Sequence, residues 1–87
     1  PETSQVFGEL IGLWLVHEWK ALGAPETFQL VEIGPGRGQL MLDALRVAAA
    51  AGGKAFGDAA QLVFVEPSPV LKSALADLFA PMAPVFA

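Results

Sequence analysis

Between Ser4 and Leu22 the apolar residues recur at helical spacing. Phe7, Ile11, Trp14, Leu15 and Trp19 share one broad face, and Val6, Leu10, Leu13 and Val16 fill much of the rest. A helix apolar nearly all round is expected to be buried on several sides, and Gly23 followed by Pro25 stops it. Phe28 to Ile33 is apolar apart from Gln29 and Glu32, the pattern of a parallel strand covered on both faces. From Gln39 to about Ala51 the helical spacing returns, with Leu40, Leu42, Leu45 and Val47 toward the sheet and Asp43 and Arg46 outward. The stretch "GGKAFGDAAQ" reads as a connecting loop, and Gln61 to Val65 as a second strand. Ser68 can cap free amides and Pro69 suits a first helical position, so a last helix starts there and runs to about Phe79, before Pro81. The order is helix–strand–helix–strand–helix, an α/β arrangement around a parallel βαβ unit that should cross over right-handed.

Composition changes the picture in one respect. Of 87 residues, 54% are hydrophobic and 16% charged, against roughly 45–50% and about 25% in ordinary globular chains. A small domain has proportionally more surface and should be more polar, not less. With the opening at Pro1 and the apolar close "FAPMAPVFA", the chain is expected to be one partial domain, residues 1–87, cut from a larger one. The net charge of −4, with Lys20, Arg37, Arg46, Lys54 and Lys72 scattered, argues against nucleic acid. No uncharged run reaches the ~18 residues of a membrane-spanning helix. Cysteine is absent, so neither a disulfide framework nor thiolate chemistry is available.

The chemistry concentrates in "VEIGPGRG". Gly34, Gly36 and Gly38 stand at alternate positions between the first strand and the second helix. Glycine permits a tight turn and close approach of backbone to a ligand. Open α/β sheets bind ligands at this end of their strands, and the helix that follows directs free N–H groups there. The spacing is Gly-x-Gly-x-Gly, whereas the dinucleotide fingerprint G-x-G-x-x-G requires glycine at position 39, which is Gln39.

Glu66, in "VFVEPSP", stands where the second strand ends, a position from which a carboxylate can accept from two ribose hydroxyls. It follows Gly38 by 28 residues, more than the ~20 of the dinucleotide pattern, and the loop at 52–61 accounts for the excess. Acid, glycine turn, helix, strand and acid together indicate a nucleoside-containing ligand. Blander readings stay open beside it: a tight turn without a ligand, a capping or solvated Glu32, and an ordinary strand-end carboxylate at Glu66. His17 reads as a surface or partly buried histidine, Trp14 and Trp19 as core or interface aromatics, and Arg37 as exposed or facing an anion. No group of residues has metal-ligand spacing.

Glu32-x-Gly34-x-Gly36-x-Gly38 resembles the first motif of class I S-adenosylmethionine-dependent methyltransferases, and Glu66 resembles their ribose-binding acid. More narrowly, "PETSQVFGELIGLWLVHEWKALG", "QLVEIGPGRGQLMLDALR" and "LVFVEPSPVLK" resemble the MidA family. These are bacterial and mitochondrial methyltransferases related to an assembly factor of respiratory complex I. The resemblance covers most of the chain and is weaker at 52–60 and after Phe79. It implies a Rossmann-like fold in which Gly34, Gly36 and Gly38 pass beneath the methionine part of the cofactor, Glu32 lies close to it and Glu66 holds the ribose. It also implies protein arginine methylation, with a complex I subunit as a possible partner and Glu2 and Glu9 as candidate catalytic acids. Family members are several times longer, so the remaining strands and the loops for adenine and acceptor are missing here.

Three functions follow as expectations: the cofactor-binding half of a methyltransferase, a non-catalytic fragment that self-associates, or a dinucleotide-binding unit. Bacterial cytoplasm is the first expected compartment and the mitochondrial matrix the second.

Overall fold

The computed structural model describes residues 4–87. Helix α1 (Gln5–Ala21) begins under Ser4, whose Oγ accepts from the Phe7 amide at 3.1 Å, and ends at Leu22 before Gly23 turns left-handed at φ 92°. Strand β1 (Phe28–Ile33) leads through the glycine turn into α2 (Gln39–Ala59), followed by β2 (Ala60–Val65). Helix α3 (Pro69–Leu78) starts as expected, with Ser68 Oγ accepting from the Leu71 amide at 3.2 Å. A 3-10 turn over Ala80–Met82 then leads to a short strand β3 (Val85–Phe86).

The sheet is parallel in the order β1-β2-β3, with Val31 beside Val63 and Val63 beside Val85. Right-handed crossovers that step in one direction leave their helices on one face. Accordingly Phe28, Leu30, Leu62 and Phe64 meet the helices. One core cluster joins Val16, Trp19, Ala48, Phe56 and Ala59 with Phe28, and the other joins Met41, Leu62, Phe64, Leu75 and Phe79 with Leu30. The expectation that β1 is covered on both faces is corrected here. Gln29, Val31 and Ile33 point to the face that carries no helix, and Ile33 is 79% exposed.

Helix α1 is likewise buried along one stripe only, Gly8, Gly12, Val16 and Trp19. Val6, Leu10, Leu13 and Trp14 remain exposed, contrary to burial on several sides. The stripe is decided by size rather than hydropathy. A Cβ on Gly8 would stand 2.6 Å from Asp43 Cβ, and one on Gly12 2.3 Å from the Ala44 carbonyl oxygen, so α2 lies directly against the α1 backbone. This contact also corrects the outward placement of Asp43, which is buried at 5% exposure in the seam, while Leu42, expected inside, is exposed.

The expected loop at 52–61 is helical as far as Ala59, and its last two residues open β2. After a single break at Gly53 (φ 70°, ψ −168°), α2 resumes and continues to Ala59. Phe56 explains why, since its ring packs edge-on against Trp19 at 5.4 Å and is fully buried. Among the described residues no helix is long and apolar enough to cross a membrane.

Candidate functional site

Gly34, Gly36 and Gly38 all adopt positive φ, at 67°, 60° and 87°, a conformation that side chains with a Cβ disfavour. The turn is closed by the Gly38 amide donating to the Pro35 carbonyl at 3.0 Å. Helix α2 then begins, and the Leu42 amide donates to the Gly38 carbonyl at 2.9 Å. The amides preceding Leu42 have no carbonyl within the helix and are available at its N-terminus.

The three glycines divide into two roles. A Cβ added to Gly34 or Gly36 meets nothing within 4 Å, so these two border open space. A Cβ on Gly38 would lie 2.8 Å from the Phe79 ring and 2.9 Å from Leu75, so this glycine lets the turn settle on α3.

The Gly34 amide donates to the Val65 carbonyl at 2.9 Å, which extends the β1–β2 ladder into the turn and sets Glu66 beside it. Glu66 is 7% exposed, and its Oε2 accepts from the Ser68 amide at 3.0 Å. Glycine turn and carboxylate thus share one end of two neighbouring parallel strands.

Glu32 shares the helix-facing side of β1 with Leu30 and lines a crevice of about 150 Å³ with Ile11, Leu15, Leu40, Met41 and Ala44. Its Oε1 is buried without a hydrogen-bond partner. Desolvation in these apolar surroundings holds its pKa above the usual carboxylate value.

Glu9 is paired rather than free. Its Oε2 accepts from Arg46 Nη1 at 3.2 Å and from Gln5 Nε2 at 3.0 Å. The Gln5 and Arg46 hydrogen bonds lower its pKa. Glu2 lies outside the described residues. Arg37 is exposed at the turn, and His17 is exposed beside Glu18. Trp19 belongs to the core, its indole N–H donating to the Pro25 carbonyl at 3.0 Å, whereas Trp14 is 56% exposed. Among the described residues no group of acidic or histidine side chains could hold a metal ion.

The sequence reading missed the cluster of Gln39, Asp43 and Arg46, in which Asp43 Oδ1 accepts from Gln39 Nε2 at 3.0 Å and from Arg46 Nη2 at 2.9 Å. The available signal was Gly8-x-x-x-Gly12, two small residues one turn apart that mark a close helix contact.

A parallel sheet with a glycine turn after its first strand and a buried acid after its second is a Rossmann-like α/β arrangement, a class of fold whose ligands bind at this end of the strands. Residues 10–85 match the model of a family described as "Putative S-adenosyl-L-methionine-dependent methyltransferase", and the chain belongs to that family. It is 51% identical over 80 residues to the protein arginine methyltransferase NDUFAF7 homolog, mitochondrial, of Drosophila melanogaster, covering 91% of this chain and 17% of that protein. The Danio rerio protein arginine methyltransferase NDUFAF7, mitochondrial, is 46% identical over 77 residues, 88% of this chain and 18% of its own length. The Homo sapiens protein of the same name is 62% identical over 47 residues, 54% of this chain and 11% of its own length. The chain therefore spans less than a fifth of the curated relatives it matches.

Proposed function

We propose that this chain is the S-adenosylmethionine-binding part of a protein arginine methyltransferase, a partial domain of a longer catalytic unit. The observation that carries the reading is the Gly34–Val65 hydrogen bond, which holds an open-faced glycine turn next to a buried carboxylate. The donor set fits the cofactor. Gly34 and Gly36 leave space for close approach, Glu66 offers a carboxylate to paired hydroxyls, and the unpartnered Glu32 oxygen suits a nearby cation. We assign Glu32, Gly34, Gly36 and Glu66 to cofactor contact and Gly38 to shaping the turn. When bound, S-adenosylmethionine supplies a methyl group activated by its sulfonium. The residues of this chain bind and orient that group, and they exclude water from one side of it.

Arginine as acceptor, a protein substrate and a mitochondrial location are supported by the names of the relatives. The matrix reading therefore takes the place of the bacterial cytoplasm. A complex I subunit as substrate rests on the family resemblance alone. The bare sheet face and the open edge of β1 support self-association of the isolated chain, since unpaired apolar edges recruit further strands.

Calorimetric titration with S-adenosylmethionine and, separately, with NAD tests the reading. Binding of the sulfonium nucleoside with no response to NAD is the expected result. The reverse outcome would replace it with a dinucleotide site, which Gln39 in place of glycine disfavours.

A further inference from the structure

We infer that Asp43 is a positioning residue, which holds the first residue of α2 and through it the helix end that closes the glycine turn. The inference rests on the cofactor reading above. Gly38 offers no side-chain cap to α2, so the start of the helix is aimed from elsewhere. Gln39, the first residue of the helix, is exposed and belongs to neither core cluster. Its side chain donates to Asp43 Oδ1 at 3.0 Å.

Asp43 is well placed to hold it. The side chain sits in the notch left by Gly8, where the α1 backbone blocks any shift toward that helix. A buried carboxylate is costly unless it is paired, and Arg46 supplies the charge, at 2.9 Å, on the same oxygen. Arg46 is held in turn by Glu9 of α1 at 3.2 Å, and Glu9 by Gln5 at 3.0 Å. The chain Gln5–Glu9–Arg46–Asp43–Gln39 thus runs from the first turn of α1 to the end of the glycine turn. A Gln–Asp pair at this spacing stabilises a helix by only about 0.2–0.5 kcal/mol. The bond is therefore minor as a source of stability, and its consequence is the direction of the first helical turn, where free amides meet a ligand.

The test compares the 87-residue chain with Gln39→Ala, Asp43→Ala, which removes the accepting oxygen, and the double variant. Three quantities are read: the urea midpoint, hydrogen exchange of the Leu42 amide in the free chain, and affinity for S-adenosylmethionine by calorimetry. Gln39→Ala is expected to keep the midpoint, because alanine is the better helix former. It should nevertheless speed exchange at Leu42 and lower affinity by up to about twofold, the fold-change that bond allows, with a smaller further loss in the Asp43→Ala background, as coupled residues show. Unchanged exchange and affinity in Gln39→Ala, or losses that add fully in the double variant, would overturn the inference. If the parent chain binds no S-adenosylmethionine, the cofactor reading fails, and the Leu42 exchange rates still decide whether Asp43 positions the turn.

Discussion

Gly38 and Phe79 are in contact that only a glycine permits: a Cβ at position 38 would sit 2.8 Å from the ring. Gly36 has the same sign of φ but faces open space. The two positions should therefore respond differently to alanine. Gly36→Ala carries the left-handed penalty alone, about 1–2 kcal/mol. Gly38→Ala adds overpacking against Phe79 and Leu75, a further cost of about 1–3 kcal/mol. Urea denaturation of both variants checks the order, and equal midpoints would show that the turn relaxes away from α3.

Glu66 should act on ligand binding more than on folding. One of its oxygens holds the Ser68 amide, while the Ser68 side chain caps α3 independently. Glu66→Ala is expected to weaken S-adenosylmethionine binding by about 1–3 kcal/mol, the scale of hydrogen bonds to charged groups. Glu66→Gln, which keeps one acceptor oxygen, should lose less. Calorimetry on the two variants separates them, and unchanged affinity in Glu66→Ala would remove the residue from the site.

These residues were visible before the structure because their signals are local. The alternation of Gly34, Gly36 and Gly38 requires a turn, and Ser68-Pro69 requires a helix start, whatever the rest of the chain does. The misreadings have one origin in tertiary contact. Gly52 and Gly53 looked like a loop because glycine favours one, yet Phe56 finds Trp19 and extends α2 across a single break. Asp43 looked outward because it is charged, yet the notch at Gly8 and the guanidinium of Arg46 let it be buried. Strand β3 is two residues long and owes its existence to the register with Val63 and Phe64, which no local pattern records. The bare face of β1 was also hidden, because an apolar run predicts burial without naming what covers it.

Glu32 predicts a pH dependence. Desolvation raises its pKa in the folded chain above the unfolded value of about 4.3. In the interval between the two values the folded state holds a proton that the unfolded state has released. Stability therefore falls as pH rises through that interval and stays lower above it. Glu32→Gln removes the titration, so the variant should gain stability relative to the parent above the interval and match it most nearly below pH 4. Urea midpoints collected from pH 3 to pH 8 check this, and a difference independent of pH would show that the carboxylate is solvated.

The α1–α2 seam yields the sharpest contrast, because it sets helix propensity against space. Alanine is a better helix former than glycine by about 1 kcal/mol in a helix interior. At Gly57 nothing lies within 4 Å of the added Cβ, so Gly57→Ala should stabilise the chain by about 0.4–1 kcal/mol. At Gly12 the Cβ would fall 2.3 Å from the Ala44 carbonyl oxygen, a backbone atom within α2. The helices must then separate, which loosens Val16 and Trp19 from Ala48 and Phe56. Overpacking of about 1–3 kcal/mol exceeds the propensity gain, so Gly12→Ala should lower the urea midpoint while Gly57→Ala raises it. A stabilising Gly12→Ala would mean that α1 does not lie against α2 in solution, and the Glu9–Arg46 bridge across that seam would be lost with it.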